Sequence, residues 1–169
     1  NSYAVTLGIA FSEDLMSLYV FYELLTLATL PLVMHGMKAK NVHAGRTYAY
    51  YCLGGAAMGF MALVTVIHYS GASNFTPGGI AGLASAPQGV VLTMYVLGFF
   101  GFGVKAAVFP LHHWLPEAGV APTPVTALLH AVAVVKAGVF AVTRLTYYSF
   151  GAELLRGTWA QTLCMVVAL

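Results

Sequence analysis

Two lysines, Lys105 and Lys136, and one acid, Glu23, each fall inside an apolar run long enough to cross a bilayer. A lysine at the centre of a membrane helix costs about 2.5–3.5 kcal/mol on insertion scales. It therefore normally faces the protein interior or a wet cavity and marks an ion or proton pathway. Desolvation disfavours the charge of such a lysine, and an acid partner favours it. A lysine balanced between the two can load and release a proton near neutral pH. Glu23 is the candidate partner, and its plainer reading is a buried acid paired for packing specificity. Lys105 lies five residues before Pro110. That is about 8 Å of helix, so snorkelling to the interface is the competing reading. Lys136 is eight residues from Arg144. At about 12 Å it cannot easily reach either surface. His130 stands six residues before Lys136, which is not a shared face of a regular helix. A water chain or a helix irregularity must link them. A histidine titrates near physiological pH and suits a relay between two lysines. Its plainer reading is a core histidine donating to a backbone carbonyl.

Between the lysines lie Pro110, Pro116, Pro122 and Pro124. Prolines free backbone carbonyls, which are tolerated at membrane depth only where they line protein or water. Broken helices at a site are a recurring transporter device. His112, His113 and Glu117 invite a metal reading, with His113 and Glu117 four apart. Pro116 intervenes and no third nitrogen or sulfur ligand is evident, so a polar cap at the membrane surface is the better reading and no metal is assigned.

The elements that must position these groups are apolar throughout. The 169 residues are 60% hydrophobic and 7% charged, with a mean hydropathy of +0.84. A soluble domain carries about 25% charged residues, so this chain cannot coat a water-facing surface and is integral to a membrane. The net charge of +2 gives no indication of nucleic acid. Cys52 and Cys164 lie in apolar runs without metal or redox spacing and read as small core residues.

Residues 1–11 are too short to span and read as the tail of a helix. Ser12, Glu13 and Asp14 supply N-cap chemistry for the next. Spans are predicted over about 15–34, 47–69, 89–109 and 126–144, with a further helix starting at 158. Glu23 is about 13 Å past Asp14, close to the midplane of a core about 30 Å thick. Residues 35–46 read as a polar loop, 70–88 as an uncharged Gly/Ser/Pro loop and 146–157 as another loop. The small residues Gly54, Gly55, Ala56, Ala57 and Gly59 suit close helix packing in lipid. Lys38, Lys40 and Arg46 share a side with the proline break, against Arg144 and Arg156 on the other, which makes the first side cytoplasmic. The N-terminus has no basic region or cleavage site of a signal peptide. Both ends read as cuts through helices, so the chain is expected to be a fragment of one transmembrane domain of a longer protein.

The run KAAVFPLHHWLPEAGVAPTPVTALLHAVAVVKAGVFAVTR, Lys105 to Arg144, closely resembles the antiporter-like membrane subunits shared by respiratory complex I (NADH:quinone oxidoreductase) and Mrp-type cation/proton antiporters. Their pattern, K-(S/A)-A-x-x-P-(L/F)-H-x-W-L-P-(D/E)-A-x-x-x-P-(T/S)-P-V-(S/T)-A-L-(L/I)-H, is matched almost throughout from Lys105 to His130. Upstream, YVFYELLTLATLPLV resembles the helix carrying that family's glutamate, which falls on Glu23. The wording around Glu23 and the position of Lys136 look more like the Mrp type.

The resemblance implies an all-α membrane protein, a transmembrane helix bundle with a proline-broken helix. The chain would be the first five-helix inverted repeat of a subunit of about fourteen helices. It implies that Glu23 pairs with Lys105 and tunes its proton affinity, and that protons pass inward from a cytoplasmic half-channel through His130 or Lys136. It implies other membrane subunits of a multisubunit complex as partners, with protons and Na+ or K+ as the ions, in a bacterial or archaeal inner membrane. No flavin, haem, iron–sulfur or nucleotide motif is present, so no cofactor is assigned and redox chemistry falls to partner subunits. A non-conducting scaffold is one alternative; a metal-dependent hydrolase using His112, His113 and Glu117 is another.

Overall fold

The computed structural model describes residues 2–35 and 38–168. Its helices are α1 (Ser2–Ala10), α2 (Leu15–Val33), α3 (Ala39–Ser70), α4 (Gln88–Gly103), α5 (Trp114–Ala118), α6 (Thr123–Ala127), α7 (Val134–Arg144), α8 (Ala152–Leu155) and α9 (Trp159–Ala168). A short 3-10 helix, Ala81–Ser85, lies in the loop before α4. π-helical turns at Leu128–Val132 and Leu145–Phe150 join α6 to α7 and extend α7, giving one continuous apolar span over 123–150. No strand occurs among the described residues beyond one isolated bridge, Asp14 to Asn74. Apolar side chains on all faces are what a bilayer-embedded bundle requires, and large hydrophobics such as Phe11, Leu27 and Tyr50 stand exposed on its outside.

α2 starts where its cap is. The Asp14 carboxylate accepts from Ser17 N at 2.6 Å and from Ser17 Oγ at 3.1 Å, satisfying an amide that the first helical turn leaves open. Replacing Asp14 with alanine is expected to cost about 1 kcal/mol of stability, read as a lowered thermal midpoint of the purified protein. α3 packs along α4 and α2. A Cβ added at Gly101 would lie 2.5 Å from Gly59 N and 2.6 Å from Gly55 O, so three glycines set this close approach, the use expected of the small-residue stretch.

Three boundaries depart from expectation. α3 begins at Ala39, so residues 39–46 of the segment read as a polar loop are helix, while residues 36–37 of it lie outside the described residues. Its 32 residues reach about 48 Å against a core of about 30 Å. The first turns therefore emerge from the apolar layer, where charged residues are compatible with helix. The expected loop over 146–157 is instead mostly helical, through the second π turn and α8. α4 ends at Gly103 rather than near Phe109. Gly98, Gly101 and Gly103 weaken its last turns, so the helix gives way seven residues before the first proline of the break.

The loop before α4 binds one end of the bundle through its main chain. Leu15 N donates to Ser73 O at 2.8 Å, Phe75 N to Glu13 O at 3.2 Å, Thr76 N to Tyr148 O at 3.0 Å and Ile80 N to Ser149 O at 2.9 Å. Leu83 is buried as a plug beneath the 3-10 helix. The Arg144 guanidinium lies over the rings of Phe75, Phe140 and Tyr148 at 5.0, 5.1 and 4.9 Å.

Candidate functional site

The early end of α4 creates the site. Past Gly103 the chain turns, with Val108 N donating to Gly103 O at 3.1 Å and Ala107 N to Val104 O at 3.0 Å. Ala107 adopts φ 56°, and the Phe109–Pro110 bond is cis. The carbonyls released here are met by side chains. Tyr22 Oη donates to Phe102 O at 2.9 Å, and Trp114 Nε1 donates to Val104 O at 2.8 Å. Tyr22, Phe102 and Trp114 are among the largest fully buried side chains, so apolar bulk and hydrogen bonding to the break come from the same residues.

Lys105 sits directly in this break and is fully buried, with 0% exposure. It does not snorkel. Its ammonium donates to the backbone carbonyl of Tyr22 and lies 3.4 Å from the centroid of the Tyr22 ring. The position, just past the C-terminal end of α4, places a cation where the helix dipole favours one. α7 crosses behind it at Gly138, where an added Cβ would lie 3.0 Å from Ala106 Cα.

Glu23 follows Tyr22 on α2 and is half-buried; its Oε1 is enclosed and has no hydrogen-bond partner. Among the described residues no ion pair joins it to Lys105 within 4 Å. His130 lies in the first π turn, half-buried, with Nδ1 2.9 Å from the Thr126 carbonyl. That matches its plainer sequence reading. A helix irregularity lies between His130 and Lys136, the π turn followed by Ala133 at φ −116°, ψ −65°; such turns recur at functional sites.

Lys136 differs from the sequence expectation of a deeply buried charge. It is exposed on α7 of this chain, in a groove of about 200 Å³ lined with Thr6, Ile9, Ala10, Ala137 and Phe140. The buried side of α7 is taken by Val134, Ala137, Gly138 and Ala141, whose small side chains admit the Lys105 backbone. Among the described residues no hydrogen bond links Lys136 or His130 to Lys105.

Three of the four prolines of the break sit where helices begin, and Pro110 lies in the turn between α4 and α5. Pro116 is the third residue of α5, and Pro122 and Pro124 flank the start of α6, positions that need no N–H donor. His113 Nε2 is 3.4 Å from Glu117 Oε1, with His113 well exposed. His112 stacks on Phe109. Among the described residues, no three His, Cys, Asp or Glu side chains converge as a metal site would need. Tyr22 does not stand out in the sequence. It has no signal there beyond an aromatic beside the acid, whereas Trp114 falls on the tryptophan of the resembled pattern.

Apolar spans packed around a broken helix that buries an ammonium define an all-α integral membrane domain of the antiporter type. The chain belongs to the NADH:quinone oxidoreductase/Mrp antiporter transmembrane family, whose model matches residues 12–169. It is 37% identical over 147 residues to a Na(+)/H(+) antiporter subunit of Alkalihalophilus pseudofirmus, covering 83% of this chain and 18% of that protein. It is 33% identical over 146 residues to the putative antiporter subunit mnhA2 of Staphylococcus aureus, with the same coverage. The chain thus spans about a fifth of the length of these relatives. Its fold is similar to that in an archaeal respiratory complex, the membrane-bound sulfane sulfur reductase. There the TM-score is 0.82 at 24% identity, over 99% of this chain and 34% of that one. It is also similar to the Mrp complex of Dietzia sp., with a TM-score of 0.73 at 23% identity, over 85% of this chain and 27% of that one.

Proposed function

We propose that this chain forms part of a proton- or proton/cation-translocating membrane subunit of a multisubunit antiporter or redox-driven pump. In this reading Lys105 is the proton-carrying group and Glu23 its modulating partner. His130 and Lys136 are the onward relay, reached through the π turn and the α1–α7 groove. Other membrane subunits are the partners, and the name of the Alkalihalophilus relative favours Na+ as the exchanged cation. The observation that carries the reading is the burial of the Lys105 ammonium at a broken helix end, held by a backbone carbonyl rather than by a carboxylate. A lysine so placed is desolvated without the compensation of an ion pair, an arrangement that favours a proton carrier over a structural salt bridge.

The parent protein in proteoliposomes tests this. Its proton flux is expected to fall to background in Lys105→Ala and to drop markedly in Glu23→Gln. Equal flux in the parent and in Lys105→Ala would instead make the chain a non-conducting scaffold of its assembly.

A further inference from the structure

Lys105 meets one residue in two ways, and that residue also holds the chain beside it. The Tyr22 ring receives the ammonium on its face, 3.4 Å from Nζ to the centroid. The Tyr22 carbonyl accepts a hydrogen bond from the same ammonium. The Tyr22 hydroxyl donates to Phe102 O at 2.9 Å, with Gly101 O at 3.4 Å, tying down the end of α4 immediately before Lys105. The ring is fixed in turn by Phe102, edge-on at 5.1 Å and 88°. All of these groups are buried, and such desolvation strengthens the attraction between cation and ring.

We propose that Tyr22 is a positioning residue for the Lys105 ammonium. Its ring face and carbonyl form the seat of the charged amine, and its hydroxyl fixes the distance between that seat and the broken helix. The inference rests on the proposed transport role of Lys105. The ring contributes what Glu23 does not: with no ion pair formed within 4 Å, the nearest favourable charge distribution around Nζ is the Tyr22 π face and carbonyl. The other titratable groups around the ammonium are Glu23, on the same helix, and Cys52 on α3. Tyr48, also on α3, is bonded to Thr29 at 2.7 Å. α5 contributes the Trp114 indole, engaged with Val104, and α7 presents Gly138. None of these faces the ammonium with a second aromatic ring.

The test replaces the ring's electrons while keeping its shape. The parent complex in proteoliposomes is compared as Tyr22→Phe, Tyr22→difluorophenylalanine and Tyr22→pentafluorophenylalanine, with transport measured across pH and normalised to assembled protein. Fluorination withdraws the negative face of the ring and weakens its hold on a cation. The pH midpoint of transport is expected to move downward stepwise along the series, by about half a pH unit or more at pentafluoro substitution. A residue that only fills space would give one midpoint for all three. That result, with Lys105→Ala inactive, overturns the role of Tyr22 and leaves the transport reading standing. Undiminished transport in Lys105→Ala removes the transport reading itself.

Discussion

Replacing Lys105 with methionine is expected to leave the parent protein as stable as before, or up to about 1–4 kcal/mol more stable, while abolishing proton flux. The two effects part because the side chain's shape and its charge do different things. The methylene stem fills a fully buried space between α2, α4 and α7, and an unbranched thioether fills it nearly as well. The charge is buried and, among the described residues, no carboxylate binds it, so its removal relieves a desolvation penalty. The Tyr22 carbonyl loses a donor and keeps its place in the helix. Thermal unfolding in detergent gives the first quantity and pH-jump flux in proteoliposomes the second. A large loss of stability with flux retained would mean that the lysine serves the fold. The coupling of lower stability to function is common where a site is built at the expense of its surroundings.

Gly138→Val is expected to damage both fold and transport. A Cβ at this position meets the backbone of Ala106 and Lys105, which cannot rotate aside as a side chain would. Overpacking of a close-packed interior costs about 1–3 kcal/mol, and more where backbone must shift. The shift falls on Lys105, the proposed proton carrier, and a displacement of about 1 Å can cost about a hundredfold in rate. Gly54→Ala is the matched control. A Cβ there meets nothing within 4 Å, and stability and flux are expected to match those of the parent. The measurements are the thermal midpoint and the flux per assembled protein.

Much of this arrangement is written in local sequence. Composition alone places the chain in a bilayer. That Glu23 and Lys105 fall within apolar runs follows from counting, and Asp14 begins its helix as its type and place suggest. What sequence hides is where an apolar stretch stops being helical. The run through Phe109 reads as one span because glycine is apolar, yet the glycines before Lys105 end the helix early and turn an ordinary span position into a break. The opposite error occurs at Lys40, His43 and Arg46, whose polar side chains read as a loop but ride on a helix that continues out of the apolar layer. The Tyr22 seat depends on residues about eighty positions apart, which no periodicity reveals. The environment of Lys136 depends on which face of α7 packs inward, and the π turn ahead of it displaces that face from the one a regular helix would give.

The main-chain stitches between residues 13–15, 73–80 and 148–149 have a mechanical consequence. Four backbone bonds and the caged guanidinium lock the helices together at that rim, whereas the opposite rim is made of short helical pieces and proline-bearing turns. Amides paired across segments in this way open less readily than those of short turns, so the rim at residues 13–15, 73–80 and 148–149 is the more firmly held of the two.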